Sequence, residues 1–220
     1  MSKIALSGNA SGTGTLTIAA PNTNTDRTLT LPDATTTLVG TDATQTLTNK
    51  TLGSGLVAGA SIITAGTAVA STSGTSIDFT GIPSWVKRIT LMFNQVSTSG
   101  TATKFIRLGT SGGIVSSNYG SASSIIYGSN SCEVDGNGTA FLIRSDVAAE
   151  RLSGHAVVTL VDSANYVWSF SSILSNTTAT NRVWHSSGYL SLGGVCTQIR
   201  LTTSNGTDTF DNGSINILYE

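Results

Sequence analysis

The chain has 220 residues, of which 10% are charged, and its formal net charge is −1. An average globular chain carries about 25% charged residues, and nucleic-acid-binding domains carry a basic patch, so we expect no nucleic-acid partner. No stretch approaches the roughly 18 consecutive apolar residues of a membrane helix, so we expect no membrane insertion. Ser and Thr make up about 30% of the residues, far above ordinary usage, and this composition favours strands and turns.

The N-terminal quarter of the chain differs from the rest. Its Leu and Ile residues alternate with Thr, which is the period-2 pattern of strands, and no aromatic residue precedes Phe79. Aromatic side chains bury about 150–250 Å² each, so we expect these short strands to need other copies of the chain, or a docking partner, to form a core. The alternative is a disordered linker, which the Thr and Asn content permits. Four short strands are predicted, at 15–19, 28–32, 35–39 and 46–52.

The remaining sequence predicts an antiparallel β-sandwich, jelly-roll-like, because many short apolar runs are separated by turn residues. We therefore divide the chain into an N-terminal segment (1–56), extended and intertwined, and a C-terminal β-sandwich domain (57–220). Only 146–152 has a helical pattern. The predicted strands of the C-terminal domain are 61–69, 76–80, 86–93, 104–108, 140–144, 156–161, 167–171, 183–192, 197–203 and 213–219. Turns are predicted at 98–101, 135–138, 162–165, 204–207 and 211–213.

No motif in the chain has the context that catalysis requires. Gly109–Gly113 matches the G-x-S-x-G pattern, but the hydrolase elbow needs a helix after Ser111, and the following residues are not helical. His155 and His185 lie in strand-like runs, where packed or surface strand residues are the expectation. The oxygen-rich segment 133–137 lacks the full spacing of a calcium loop, so we interpret it as a hairpin turn. The sequence predicts no enzyme, no catalytic residues, no metal site and no cofactor.

Cysteines and tryptophans allow further predictions about packing. Cys132 and Cys196 are too few for a disulfide framework; they are either buried free thiols or a disulfide formed across strands or between subunits. Trp168 and Trp184 lie in apolar strands, which predicts that both rings pack in the core.

Two sets of phrases resemble bacteriophage fibre proteins. LTIAAPNTNTDRTLTLPDATTTLVG (16–40) and QTLTNKTL (45–52) are similar to the N-terminal part of phage tail-fibre and collar-fibre proteins. TSIDFTGIPSWVKRITLMFNQVSTSG (75–100) and FDNGSINILYE (210–220) resemble the C-terminal module of related fibres. This resemblance implies a structural virion protein that forms a homotrimer. It also implies that residues 1–56 are an attachment or shaft segment that binds tail, baseplate or neck proteins of the virion. Residues 57–220 would then be a β-rich head that adheres to the host surface.

The N-terminus lacks the apolar run of a secretory signal, which fits synthesis in the bacterial cytoplasm and release of virions by lysis. Loops on a rigid sandwich are the usual carriers of binding, so we predict that a host-cell glycan or protein contacts the head loops. The predicted contact residues are Tyr119, Tyr127, Asn176 and Asn181. Two other functions remain as alternatives, a polysaccharide-degrading enzyme at a fibre tip and a secreted sugar-binding lectin.

Overall fold

The computed structural model describes residues 63–127, 131–144, 147–176 and 182–220, together with short pieces between residues 8 and 28. These residues form β-strands and no helix, which confirms the predicted all-β fold. The four predicted N-terminal strands lie mostly outside the described residues. The strands are β1 Thr64–Ala65, β2 Val69–Ala70, β3 Ser76–Thr80, β4 Arg88–Thr98, β5 Lys104–Thr110, β6 Gly113–Ile114, β7 Tyr119–Tyr127, β8 Ser131–Asn137, β9 Phe141–Ile143, β10 Leu152–Asp162, β11 Val167–Asn176, β12 Arg182–Ser191, β13 Gln198–Thr203 and β14 Phe210–Tyr219.

The strands form two antiparallel sheets, as the sequence predicts. The large sheet has nine strands in the order β1, β14, β4, β10, β11, β12, β7, β8, and β2 also pairs with β14. The small sheet has five strands in the order β3, β13, β5, β6, and β9 also pairs with β5. Every second side chain of a strand faces the opposite sheet, so one face of each sheet supplies the core.

The core lies between the two sheets and is rich in aromatic side chains. Trp168 and Trp184 are 2% and 0% exposed, which confirms their predicted place in the core. The rings of Phe141 and Phe170 stack with their centroids 4.5 Å apart, and Tyr119 meets Phe141 edge-on at 4.9 Å. Such ring pairs add about 0.5–1.5 kcal/mol each beyond the burial of their area.

Serine hydroxyls connect the two sheets at one corner. Ser121 and Ser123 of β7 point inward, and their hydroxyl oxygens accept hydrogen bonds from the backbone N–H groups of Leu142 (2.9 Å) and Arg144 (3.0 Å). Strand β7 belongs to the large sheet and β9 to the small sheet. The small polar side chains of β7 therefore satisfy two backbone donors, one in β9 and one directly after it, as buried N–H groups require.

Several predicted turns are confirmed. Asp162–Asn165 joins β10 to β11, and the Asp162 carboxylate accepts hydrogen bonds from the N–H groups of Ala164 (2.8 Å) and Asn165 (3.2 Å). The predicted turn 98–101 starts at the last residue of β4 and ends before β5, and the predicted turn 204–207 lies between β13 and β14. Two predicted turns are wrong. Most of Asp135–Gly138 belongs to β8, and Asp211–Gly213 lies inside β14, where the register with β4 shifts twice.

Some predicted element types also need correction. No helix occurs in the described part of 146–152, residues 147–152, and Leu152 already begins β10. The predicted strand 61–69 is replaced, in its described part, by β1 and the start of β2. The chain between them approaches β14 closely, because Gly66 N–H donates to the carbonyl of Ile217 at 2.8 Å.

The chain divides into two units, Met1–Gly55 and Leu56–Glu220, and both sheets belong to the second unit. Among the residues that the structure describes, no helix has the length and hydropathy needed to cross a membrane.

Candidate functional site

The outer face of the large sheet carries three rows of side chains that run across four adjacent strands. Each row consists of residues that are paired directly with one another on neighbouring strands. Because side chains alternate between the two faces of a strand, all residues of these rows point away from the core. We call these twelve residues the neutral face. They are Thr159, Ser169, Tyr189 and Gly120 in the first row, Val157, Ser171, Ser187 and Ala122 in the second row, and His155, Ile173, His185 and Ser124 in the third row.

The neutral face contains no Asp, Glu, Lys or Arg. Strands β7, β10, β11 and β12 together hold only two such residues, Asp162 and Arg182, and each stands at a strand end. The first row ends at Arg88 of β4, whose guanidinium lies 3.0 Å from the carboxylate of Glu220. A charged pair therefore bounds the uncharged area on one side.

The outer face of the small sheet has the opposite character. Asp78, Arg200 and Arg107 face one another across β3, β13 and β5. The Arg200 guanidinium makes two hydrogen bonds to the Asp78 carboxylate, at 2.6 and 2.7 Å, and the Arg107 guanidinium lies 5.3 Å from the centroid of the Phe105 ring. The lack of charge is thus a property of one face of the sandwich rather than of the whole head.

A shallow depression of about 430 Å³ lies between the second and third rows of the neutral face. Its sides are formed by small residues such as Ala122, Ser171 and Ser187 and by the larger Ile173 and His185. The backbone between the rows forms its floor. The depression exists because Ala122, Ser171 and Ser187 of the second row have short side chains, whereas Ile173 and His185 of the third row have longer ones that extend further from the sheet.

Tyr189 is the largest exposed side chain beside this depression, with 61% of its surface exposed. Its ring lies against the backbone of Gly120, since a Cβ atom placed on that glycine would be 2.3 Å from the ring. The missing side chain at Gly120 therefore makes room for the ring to lie across β7. A ring held in this way offers a flat apolar surface that loses little conformational entropy when a ligand covers it.

The structure places the four predicted contact residues in different environments. Tyr119 is 6% exposed, so the expectation of an exposed loop residue is wrong. Its hydroxyl accepts a hydrogen bond from the Leu108 N–H (2.8 Å) and donates to the Val115 carbonyl (3.2 Å), and burial raises its pKa. The Gly and Ser residues around Tyr119 suggested a loop, but they belong to β7.

Asn176 is also buried, at 3% exposure, and its side-chain amide donates to the Glu150 carboxylate at 3.3 Å. Tyr127 is the last residue of β7, and Asn181 lies outside the described residues. Register places Tyr127 and Asn176 on either side of Arg182. The predicted residues therefore do not form one exposed site in the part of the chain that the structure describes.

The motifs that resembled catalytic sites lie in strands or in the turn between two strands. Ser111 follows β5 and precedes β6, so a second strand stands where a nucleophile elbow needs a helix. The segment 133–137 lies in β8, which corrects its interpretation as a hairpin turn. His155 and His185 are strand residues, as predicted, and both are exposed on the neutral face.

Sequence reasoning missed the neutral face because its rows depend on strand register. The alternation in β11 does carry part of the signal, since Trp168, Phe170 and Leu174 point inward and leave Ile173 outside. Comparison of the chain with protein-family models, with curated proteins and with solved structures finds no match.

Proposed function

We propose that the chain is a structural fibre protein of a bacteriophage virion, and that its head adheres to the host surface through the neutral face. The proposal is supported by the resemblance of the segments at 16–40, 45–52, 75–100 and 210–220 to phage fibre proteins. Its main structural support is a broad uncharged face with an exposed ring, carried by a rigid sandwich. Function of this kind needs no catalytic group.

The ligand class follows from the chemistry of the neutral face. An uncharged surface gives no electrostatic attraction to a phosphate-rich or strongly anionic partner. Hydroxyl groups of Ser171 and Ser187 and the imidazole of His185 can both donate and accept hydrogen bonds, and the Tyr189 ring offers an apolar face. A neutral polyhydroxylated ligand, such as an uncharged glycan of the cell surface, matches this set of groups.

Binding of the labelled full-length protein to the host cells tests the adhesion. We expect Tyr189→Ala to weaken binding by about 2 kcal/mol, roughly thirtyfold, as for the loss of an aromatic anchor. Trp85→Ala is the matched control, because Trp85 is a 52% exposed aromatic residue outside the neutral face. Equal binding by the two variants would refute a role for the neutral face.

The attachment role has a separate test. Antibodies against the head should decorate one fixed location on virions whose genome encodes the chain, and light scattering should give three times the chain mass of 22.5 kDa. The resemblance alone supplies the number three. Virions without antibody label would instead favour the alternative of a secreted lectin, which could use the same face.

A further inference from the structure

A cavity of about 230 Å³ opens at one end of the sandwich, apart from the neutral face. Three connections meet there, which join β3 to β4, β10 to β11 and β12 to β13. An apolar cavity of about 150 Å³ holds benzene, so this cavity has room for an aromatic ring and a small polar group. Loops carried by a rigid scaffold are common places for binding.

The deep wall of the cavity is apolar. Val86, Trp168 and Cys196 line it and are 4%, 2% and 4% exposed. Leu160 also lines it and packs against the core, and Val195 is a more exposed part of the lining. A ligand that fills the cavity must therefore have an apolar body, because the removal of apolar surface from water is the main gain.

Backbone hydrogen bonds hold the rim of the cavity in place. The N–H of Leu160 donates to the carbonyl of Lys87 at 2.7 Å, which ties the β3–β4 connection to β10. The N–H of Leu192 donates to the carbonyl of Tyr166 at 3.1 Å, which ties the β10–β11 connection to the residue after β12. The cavity is therefore formed before a ligand arrives, and binding loses little free energy to the ordering of loops.

Tyr166 lines the cavity in a strained backbone conformation. Its φ is 53°, in the left-handed region that favours glycine, and it is the last residue before β11. Hairpin loops commonly place glycine at a position of this conformation. A tyrosine there costs stability, and strain of this kind clusters at ligand sites. In this loop it brings an aromatic residue to the cavity.

Among the described residues, Lys87 is the only charged one that lines the cavity. Arg88 faces outward in the first row, so strand alternation places Lys87 on the core side, where it is exposed at the open end. Lys87 forms no ion pair within the described ranges. The carboxylate of Asp162, in the neighbouring turn, accepts hydrogen bonds from N–H groups of its own turn. Ser84 and Ser163 add hydroxyl donors to the lining, so the mouth favours an anionic group.

We propose that this cavity binds a small carboxylate with an apolar body, of which an arylacetate is an example. The apolar body packs against the wall that contains Val86, Leu160 and Trp168. The carboxylate accepts hydrogen bonds from the Lys87 ammonium and from the serine hydroxyls. Hydrogen bonds between charged groups are stronger than neutral ones, so a neutral molecule of the same shape binds less tightly. The site lies apart from the neutral face and does not depend on the proposed adhesion.

Phenylacetate is the probe that tests this site, and phenylacetamide is its neutral counterpart of the same shape. Each is titrated into the isotope-labelled full-length protein, and NMR follows the indole N–H signal of Trp168, which Trp168→Phe identifies by its absence. This N–H is buried and has no hydrogen-bond acceptor within the described residues, so we expect its signal to shift when a ring enters the cavity. Phenylacetate should bind about tenfold more tightly than phenylacetamide, as for one charge-assisted hydrogen bond.

Two variants assign the charge that makes the difference. Lys87→Met should bind both probes with equal affinity, because the ammonium is lost and the apolar wall remains. Arg151→Met removes an exposed cation that does not line the cavity, and it should keep the preference for phenylacetate.

Three results would overturn the proposal. They are an unchanged Trp168 signal with phenylacetate, equal binding of the two probes by the wild-type chain, and a preference for phenylacetate that survives in Lys87→Met. The comparison of the two probes on the wild-type chain needs no variant, so a variant that fails to fold does not prevent a decision.

Discussion

The hydroxyl of Tyr119, on the large sheet, accepts a hydrogen bond of 2.8 Å from the backbone N–H of Leu108, on the small sheet. Both residues are buried. The bond joins the two layers through a side chain and a backbone group, and it leaves no buried donor without a partner at this point of the core.

Tyr119→Phe should therefore destabilise the head. The ring remains, but the buried Leu108 N–H loses its acceptor, which costs about 1–3 kcal/mol. Urea unfolding measures the loss. Tyr189→Phe is the control, because its ring is 61% exposed and surface changes usually stay within about 0.5 kcal/mol. Equal stability of the two variants would contradict the role of the Tyr119 hydroxyl.

Gly213→Ala should be among the more damaging glycine substitutions in the head. Gly213 has φ of 90°, and an added Cβ would lie 2.4 Å from the carbonyl oxygens of Asn94 and Gln95. Gly193 has a similar φ of 76° but open space around it. We expect Gly193→Ala to cost about 1–2 kcal/mol from backbone strain alone and Gly213→Ala to cost clearly more. Thermal unfolding compares them, and equal shifts in Tm would show that the contact with β4 relaxes freely.

The Cys196 thiol should react slowly with alkylating reagents while the protein is folded. It is a buried free thiol, and burial raises its pKa from 9.0 to about 11. The thiolate is the reactive form, so at pH 8 only about 0.1% of the native thiol is reactive, compared with about 10% at the ordinary pKa. Iodoacetamide labelling followed by mass spectrometry of the Cys196 peptide measures the rate. If Cys196 is labelled as fast in the folded protein as in urea, its thiol is accessible to the reagent and the prediction is wrong.

A charge placed in the neutral face should separate adhesion from stability. Ser187→Glu introduces a carboxylate beside the depression, and its stability should stay within about 1 kcal/mol of the wild type because the side chain is exposed. Cell binding should fall at least about tenfold, since an unpaired charge must lose its water when a neutral ligand covers it. Thr80→Glu, on the outer face of the small sheet, is the control and should bind normally. The proposed role of the face fails if both variants bind equally.

The sequence predicted those elements whose signal is local. Alternation of apolar and polar residues identified β3, β11 and β12, and the Asp162–Asn165 turn follows from hydrogen bonds within four residues. Strand β7 was missed because Gly and Ser are frequent in it. The partners of Ser121 and Ser123 lie in β9 and directly after it, 21 residues further along the chain. Tyr119 was misjudged for the same reason, because local composition does not reveal that its hydroxyl meets Leu108. The neutral face needs the register of four strands, which no single segment contains.

The alternation of inward and outward residues in the four strands beneath the neutral face has an evolutionary consequence. Ser171 and Ser187 can be exchanged for other residues without a change in Phe170, Leu174 or Trp184, whose packing holds the fold. The shape and chemistry of the neutral face can therefore be altered one side chain at a time while the packed core beneath it stays the same. Under the proposed role of the neutral face, selection can change what this surface binds and preserve the stability of the head, because the two properties are encoded at alternate positions of the same strands.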